Sequence, residues 1–147
     1  MPNPVQDFGA LLNAASSGLS TLGDRVLKPL RVTSAQWKVL VVLARRGPSR
    51  VSGLVQVLEH DQAAVSRLVT RMELAGLVVR RDDPNDARAG AVALTPRGRR
   101  TYERCDETLR EVMGTLQRSL KPREQRQLRE LLTKFTAAID AALETSR

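Results

Sequence analysis

The order of three patterns in one stretch of the chain constrains the fold more than any other feature. Residues 51–58 and 61–76 place apolar side chains at the three- and four-residue steps of helices that bury one face. Two short apolar runs, residues 77–79 and 91–94, then flank Pro84-Asn85-Asp86, which we interpret as the turn region of a hairpin. A short helix, a longer helix and a hairpin in this order predict a winged helix-turn-helix.

Composition favours helices for the rest of the chain. Of its 147 residues 41% are hydrophobic, which excludes wholesale disorder, and only 3% are aromatic. The core must therefore be built from Leu, Val and Ala, which suits packed helices better than an aromatic-rich β-sandwich. We predict a mostly α protein of the α+β class, with a two-stranded β wing.

Local signals place four more helix boundaries. Thr33-Ser34-Ala35-Gln36 matches a capping box, so a helix should begin there, and Gly47-Pro48 should end it. Trp37, on the apolar face of that helix, is interpreted as a core residue. Thr95-Pro96 predicts the start of a long helix after the hairpin, and another helix follows Pro122.

Apolar stripes at both ends of the chain predict a dimer. The stripes of the N-terminal and C-terminal helices are too extensive to be covered by the small winged unit. We therefore expect residues 1–31 and 99–147 to form a helical dimerisation bundle, and residues 32–98 to form the winged unit. The predicted interface residues are Phe8, Leu11, Leu12, Leu128, Leu132, Phe135 and Ile139.

Charge and cysteine content indicate the class of binding partner and the cellular compartment of the protein. Lys and Arg total 24 against 16 Asp and Glu, a net charge of +8, which favours a polyanionic partner such as nucleic acid. One cysteine, Cys105, and no secretory signal predict a cytoplasmic protein. The longest apolar stretch, residues 39–44, is far too short to cross a bilayer, so we expect no membrane association.

The second helix of the winged unit carries the candidate reading residues. If Val65, Leu68, Val69 and Met72 are buried, the helical period turns another set outward. Small outward residues would let the backbone approach a major groove, and an arginine there can bind guanine or phosphate. A solvated helix face with ordinary arginines is the alternative. The outward set is Ala63, Ser66, Arg67, Thr70 and Arg71.

The hairpin supplies the second candidate contact. Arg88 would read the width and negative potential of a minor groove, and Asp86 would hold its guanidinium in place. A charged turn with an incidental ion pair is the alternative. Arg97, after the hairpin, is a predicted phosphate contact, and further flanking contacts are expected from Arg45, Arg46, Arg99 and Arg100.

With these residues in order, the sequence resembles the MarR family of bacterial transcription regulators over nearly its whole length. The resemblance rests on motifs spread through the winged unit and the residues that follow it. They are Leu54, Val65-Ser66-Arg67-Leu68, Arg71-Met72-Glu73, Gly76-Leu77-Val78, Asp86-Ala87-Arg88 and Leu94-Thr95 with Gly98.

The resemblance implies an obligate homodimer that binds double-stranded DNA at a pseudo-palindromic operator. It also implies repression that is relieved by a small aromatic or phenolic effector bound between the dimer base and the heads. The family's peroxide-sensing branch uses a cysteine in the N-terminal helix, where this chain has none, and Cys105 on an apolar stripe fits an inert thiol better than a redox switch. A single histidine argues against a metal site, so we expect no cofactor and no metal.

Two other classes of function compete with this one. A basic architectural protein would coat nucleic acid without reading it, and the hairpin and small helix residues favour the sequence-reading alternative. An enzyme is the weakest hypothesis. No nucleophile lies beside a base in a recognisable motif and there is no glycine-rich phosphate loop, so we expect no catalytic residues.

Overall fold

The computed structural model describes residues 4–58, 61–83 and 86–145, with the side chains of residues 4–6, 82, 83 and 86–89 excepted. Six α-helices and three β-strands follow one another within these residues, together with a short 3-10 helix, Lys28–Leu30. In chain order they are α1 (Pro4–Leu27), α2 (Ser34–Arg46), β1 (Ser49–Arg50), α3 (Val51–Leu58), α4 (Gln62–Leu74), β2 (Val78–Asp83), β3 (Asp86–Leu94), α5 (Pro96–Gln117) and α6 (Pro122–Thr145).

Helix boundaries follow the local signals closely. The capping box at α2 is complete: Thr33 Oγ1 accepts from the Gln36 backbone N–H at 3.2 Å, and Gln36 Oε1 accepts from the Thr33 N–H at 2.9 Å. Gly47 ends that helix with a φ of 81°, a left-handed conformation that favours glycine. The predicted start and end of α2 are therefore confirmed.

The wing is a hairpin of β2 and β3, and a third strand that was not predicted, β1, completes the sheet. Strand order is β1-β3-β2, with both pairs antiparallel and Ser49 opposite Val92. In the hairpin Val78 pairs with Leu94, and an irregularity lies between Arg81 and Asp83. The predicted fold, a winged helix-turn-helix with a β wing between helical ends, is confirmed.

The core lies within the winged unit, and Leu27 of α1 and Cys105 of α5 complete it. Its buried residues come from α1, α2, α3, α4, β2, β3 and α5, and from two connecting residues, Val32 and Leu77. Trp37, predicted as a core residue, packs against this cluster half-buried and stacks on Tyr102, with ring centroids 5.4 Å apart and planes 10° apart. The largest fully buried side chains are Leu27, Leu40, Leu43, Leu54, Met72, Val39, Val65, Val69, Val78, Val92 and Cys105.

A close backbone contact joins the wing to α5. Thr95 Oγ1 donates to the Gly76 carbonyl at 2.6 Å and accepts from the Gly98 N–H at 2.9 Å, so it caps α5 while holding the end of α4. A Cβ at Gly98 would lie 1.9 Å from the Leu77 carbonyl oxygen. Only glycine fits there, which fixes where α5 leaves the sheet.

The chain forms two compact units, residues 1–109 and 110–147. In the second unit, the Lys121 N–H donates to Glu124 Oε2 at 2.7 Å at the start of α6. Lys121 offers no hydroxyl to cap the helix, so this bond supplies half of a capping box. None of the residues of α6, all of which the structure describes, is buried in the protomer.

Candidate nucleic-acid interface

Helix α4 is oriented by its N-cap and its buried face. Asp61 Oδ1 accepts from the Ala64 N–H at 2.8 Å, which satisfies one of the free donors of the first turn. Val65, Leu68, Val69 and Met72 are buried, as predicted. The opposite face of the helix is therefore available to a partner.

That opposite face is one continuous surface. Ser66 is half-buried, and the other four predicted reading residues are exposed. The surface offers two guanidinium groups beside small side chains, which suits close approach to the acceptor-rich edge of a DNA groove. The five residues together line one shallow concavity: Ala63, Ser66, Arg67, Thr70 and Arg71.

Arg80 of β2 joins this surface, which sequence reasoning missed. Its Nη1 lies 2.6 Å from Glu73 Oε2, and its Nη2 donates to Thr70 Oγ1 at 3.2 Å. Thr70 Oγ1 itself donates to the Ser66 carbonyl at 3.0 Å. The Thr70 hydroxyl has therefore used its only donor, and the side chain offers a partner its methyl group or a remaining lone pair.

A second recess continues the surface toward the wing. It is lined by residues from β1, the start of α3, the start of α4 and the two wing strands, including Arg50, Ser52, Gln62 and Gly90. Exposed Arg50 belongs to the two-residue strand β1, which has too few residues to show a sequence pattern. Arg50 and Gln62 are thus additions to the predicted set.

The wing prediction needs one correction. Asp83 pairs with Asp86, so Asp86 is the first residue of β3 and not part of the turn. Arg88 also has its backbone in β3. The side chains of Asp86 and Arg88 lie outside the described residues, and their contact with a minor groove stays a prediction.

The predicted phosphate contacts are surface residues. Arg45, Arg46, Arg99 and Arg100 are exposed, as is Arg97. The Arg97 side chain runs past Gly76, where a Cβ would lie 3.8 Å from Arg97 Cδ. Their contact with DNA stays a prediction.

Cys105 is fully buried against the winged unit. Burial raises the pKa of its thiol, and the nearby Arg104 charge lowers it to a lesser extent. The neutral thiol is therefore favoured in the fold, as expected of a core residue and not of a reactive one.

Comparison with known proteins decides the family. Residues 32–89 match the model described as MarR family. The Multiple antibiotic resistance protein MarR of Salmonella typhimurium is 31% identical over 105 residues, covering 71% of this chain and 73% of that protein. The chain belongs to the MarR family.

Solved structures agree with the MarR-family fold. A cysteine-to-serine mutant of MarR from Escherichia coli, complexed with operator DNA, superimposes with a TM-score of 0.78 at 30% identity, covering 90% of this chain and 96% of that one. NadR in complex with 4-hydroxyphenylacetate gives a TM-score of 0.73 at 27% identity, covering 92% and 97%. Among the described residues, no helix of this MarR-family chain combines the length and apolarity needed to cross a membrane.

Proposed function

We propose that this protein is a sequence-specific regulator of transcription that binds double-stranded DNA as a homodimer. The observation that carries the proposal is the exposed face of α4, where five residues line one surface next to the wing. The similar MarR structure complexed with operator DNA supports the assignment. Ser66 and Arg67 would enter the major groove, with Arg71 at its flank.

The roles within the interface follow from chemistry. Arg67 can donate two parallel hydrogen bonds to guanine, the commonest specific contact in DNA recognition. Thr70 is left with a methyl group that suits thymine, because its hydroxyl already bonds to Ser66 and Arg80. Arg88 in the minor groove and Arg97 on phosphate would add affinity with little base selectivity.

Exposed apolar side chains support the homodimer. On α1, Phe8 is 51% exposed and Leu11 is 70% exposed, while Leu12 is half-buried. A stripe this long on a protomer marks an association surface. The α6 members of the predicted interface are Leu128, Leu132, Phe135 and Ile139, and all are exposed.

The proposal includes a small effector that relieves DNA binding. NadR, similar over most of this chain, was solved with 4-hydroxyphenylacetate, a phenolic carboxylate. A molecule of that class acts by binding the DNA-free arrangement better than the DNA-bound one. An effector that releases the protein from DNA in this way implies that the bound protein represses transcription.

Selection of bound duplexes from a random pool at about 0.15 M salt tests the proposal, since near-physiological salt suppresses purely electrostatic binding. We expect an enriched inverted repeat with half-sites about one helical turn apart. Tight binding without enrichment would favour a non-specific architectural protein and contradict the proposal.

A further inference from the structure

A cleft in the first unit is lined by four arginines. It lies between the residues that precede α2, the end of α4 and the first turns of α5, and its volume is about 470 Å³. Arg31 borders it from one side, and Arg97, Arg100 and Arg104 border it from α5. This volume is in the range of small-molecule sites, about 300–1,000 Å³.

The neutral polar groups of the cleft add donors. Gln36 Oε1 accepts from the Thr33 N–H in the capping box. The side-chain amide of Gln36 therefore has its two N–H donors left for a ligand in the cleft. Thr101 contributes a hydroxyl. Four guanidinium groups and this amide make a lining that calls for a ligand rich in hydrogen-bond acceptors.

In the part of the chain that the structure describes, no carboxylate lines the cleft. The first turn of α5, described throughout, holds no acidic residue although it carries Arg97. The N-terminal end of a helix already has positive dipole character, so Arg97 in this turn is unfavourable unless an anion joins it.

Arg31 adds a sign of strain at the same place. It ends the 3-10 helix with φ 56° and ψ 37°, a left-handed conformation that a residue with a Cβ rarely adopts, and its N–H donates to the Lys28 carbonyl at 3.0 Å. Glycine would take this backbone more easily. An arginine held there points to a role for its side chain.

We infer that this arginine cleft binds a small organic anion that carries at least two negative groups on an apolar body. Leu30, Val32 and Leu77 supply apolar surface beneath the cations, which a DNA phosphate would not use. Paired carboxylates or phosphates would receive bidentate hydrogen bonds from the guanidinium groups. The ligand would touch Leu77 and Ala75, the joint between α4 and β2, so its effect on operator binding rests on the proposed function.

Titration calorimetry on the full chain at about 0.15 M salt tests the inference with two probes, pyrophosphate and phthalate, and with neutral dimethyl phthalate as the control ligand. We expect phthalate to bind saturably, pyrophosphate, which has no apolar body, to bind more weakly, and dimethyl phthalate not to bind. The double variant Arg100→Gln, Arg104→Gln should weaken phthalate binding about tenfold or more, because it removes two charge-assisted donors.

Two further variants distinguish the loss of a specific binding site from a general loss of positive charge and from a loss of folding. Arg99→Gln removes the same charge from an α5 arginine that does not line the cleft, and it should leave the affinity unchanged. Arg31→Gly should weaken binding while the ligand-free melting temperature stays the same or rises, because the backbone strain is relieved. Equal losses in Arg99→Gln and the double variant would overturn the inference, as would the absence of saturable phthalate binding.

The same variants are measured against the selected operator duplex. Weaker operator binding by the double variant together with unchanged dianion affinity would mean that these arginines contact DNA phosphates, which would also overturn the inference. Dianion binding needs no DNA. A failed operator selection would therefore contradict the proposed function without contradicting the inference about the cleft.

Discussion

Arg80 in the wing binds Glu73 in α4 at two points: Nη1 lies 2.6 Å from Oε2, and the Arg80 backbone N–H donates to Oε1 at 3.2 Å. The same guanidinium reaches Thr70. Both side chains of the ion pair are about one-third exposed, so its contribution to stability is small. Its consequence is geometric, because it fixes the wing strand against the helix that carries the predicted reading residues.

We expect Glu73→Gln to weaken operator binding about tenfold, since the variant loses the charge-assisted contact to Arg80. Simple electrostatics predicts the opposite sign, because removing a negative charge near DNA should strengthen binding. Fluorescence anisotropy with the selected operator gives the affinity. Arg81→Ala is the control on the same strand, and stronger operator binding by Glu73→Gln would show that the pair does not position the wing.

Arg67→Ala should weaken operator binding by about 1–3 kcal/mol and relax the preference at one base pair of each half-site. The reason is that a guanidinium bonded to a base edge discriminates between bases, whereas one bonded to phosphate does not. Repeating the duplex selection with the variant measures the preference directly. Arg126→Ala, which removes one charge from the other compact unit, should retain the preference at every position. A uniform loss of affinity with an unchanged motif would assign Arg67 to phosphate.

The orientation of α4 could be predicted because its signals are local. Asp61 caps the helix three residues before its partner N–H, and the buried residues recur at three- and four-residue steps. These relations depend only on the helical repeat. The capping box at Thr33 and the cap at Thr95 were predictable for the same reason.

The missed features depend on contacts between elements. Glu73 and Arg80 meet only because the chain reverses at Gly76, and no periodic pattern connects them. The arginine cleft joins Arg31 to residues about seventy positions later. Strand β1 has two residues and exists because β3 extends far enough to pair with it. Tertiary packing creates all three, and a single sequence carries no local signal for it.

Gly98→Ala should lower the free energy of unfolding by about 3 kcal/mol or more. The added Cβ would lie 1.9 Å from the Leu77 carbonyl oxygen and 2.9 Å from its carbon, both backbone atoms that cannot rotate away. Urea denaturation measures the change. Gly114→Ala is the control, because the nearest atom to its Cβ is the end of the flexible Arg118 side chain at 3.4 Å, and it should stabilise the helix by about 0.5–1 kcal/mol. Equal stability of the two variants would contradict the predicted clash.

Cys105 should make stability fall at alkaline pH. Burial raises the pKa of its thiol above the unfolded value of about 8.5, so its stabilising contribution is complete below that pH. The contribution is lost as the pH rises from there through the folded pKa. The free energy of unfolding of the wild type and of Cys105→Ala is compared between about pH 7 and 10. The difference between the two curves gives the pH dependence due to Cys105, since other groups titrate alike in both proteins. Parallel curves would mean that the thiol does not titrate differently on unfolding.

Leu132→Glu should dissociate the homodimer by placing a charge within the apolar stripe of α6. We expect the dimer dissociation constant, measured by analytical ultracentrifugation, to rise on the order of 100-fold. Ala137→Glu is the matched control, because Ala137 lies roughly 140° around the helix from Leu132 and gains the same charge.

Dissociation of the dimer should also lower the affinity for the operator. In a dimer, binding of one winged unit to its half-site raises the effective concentration of the second winged unit at the adjacent half-site. Operator affinity should therefore fall far more than affinity for a single half-site. A Leu132→Glu protein that stays dimeric, or an Ala137→Glu protein that dissociates equally, would place the interface on another face of α6. If Leu132→Glu were monomeric yet bound the operator normally, the heads would not need a dimer to read DNA.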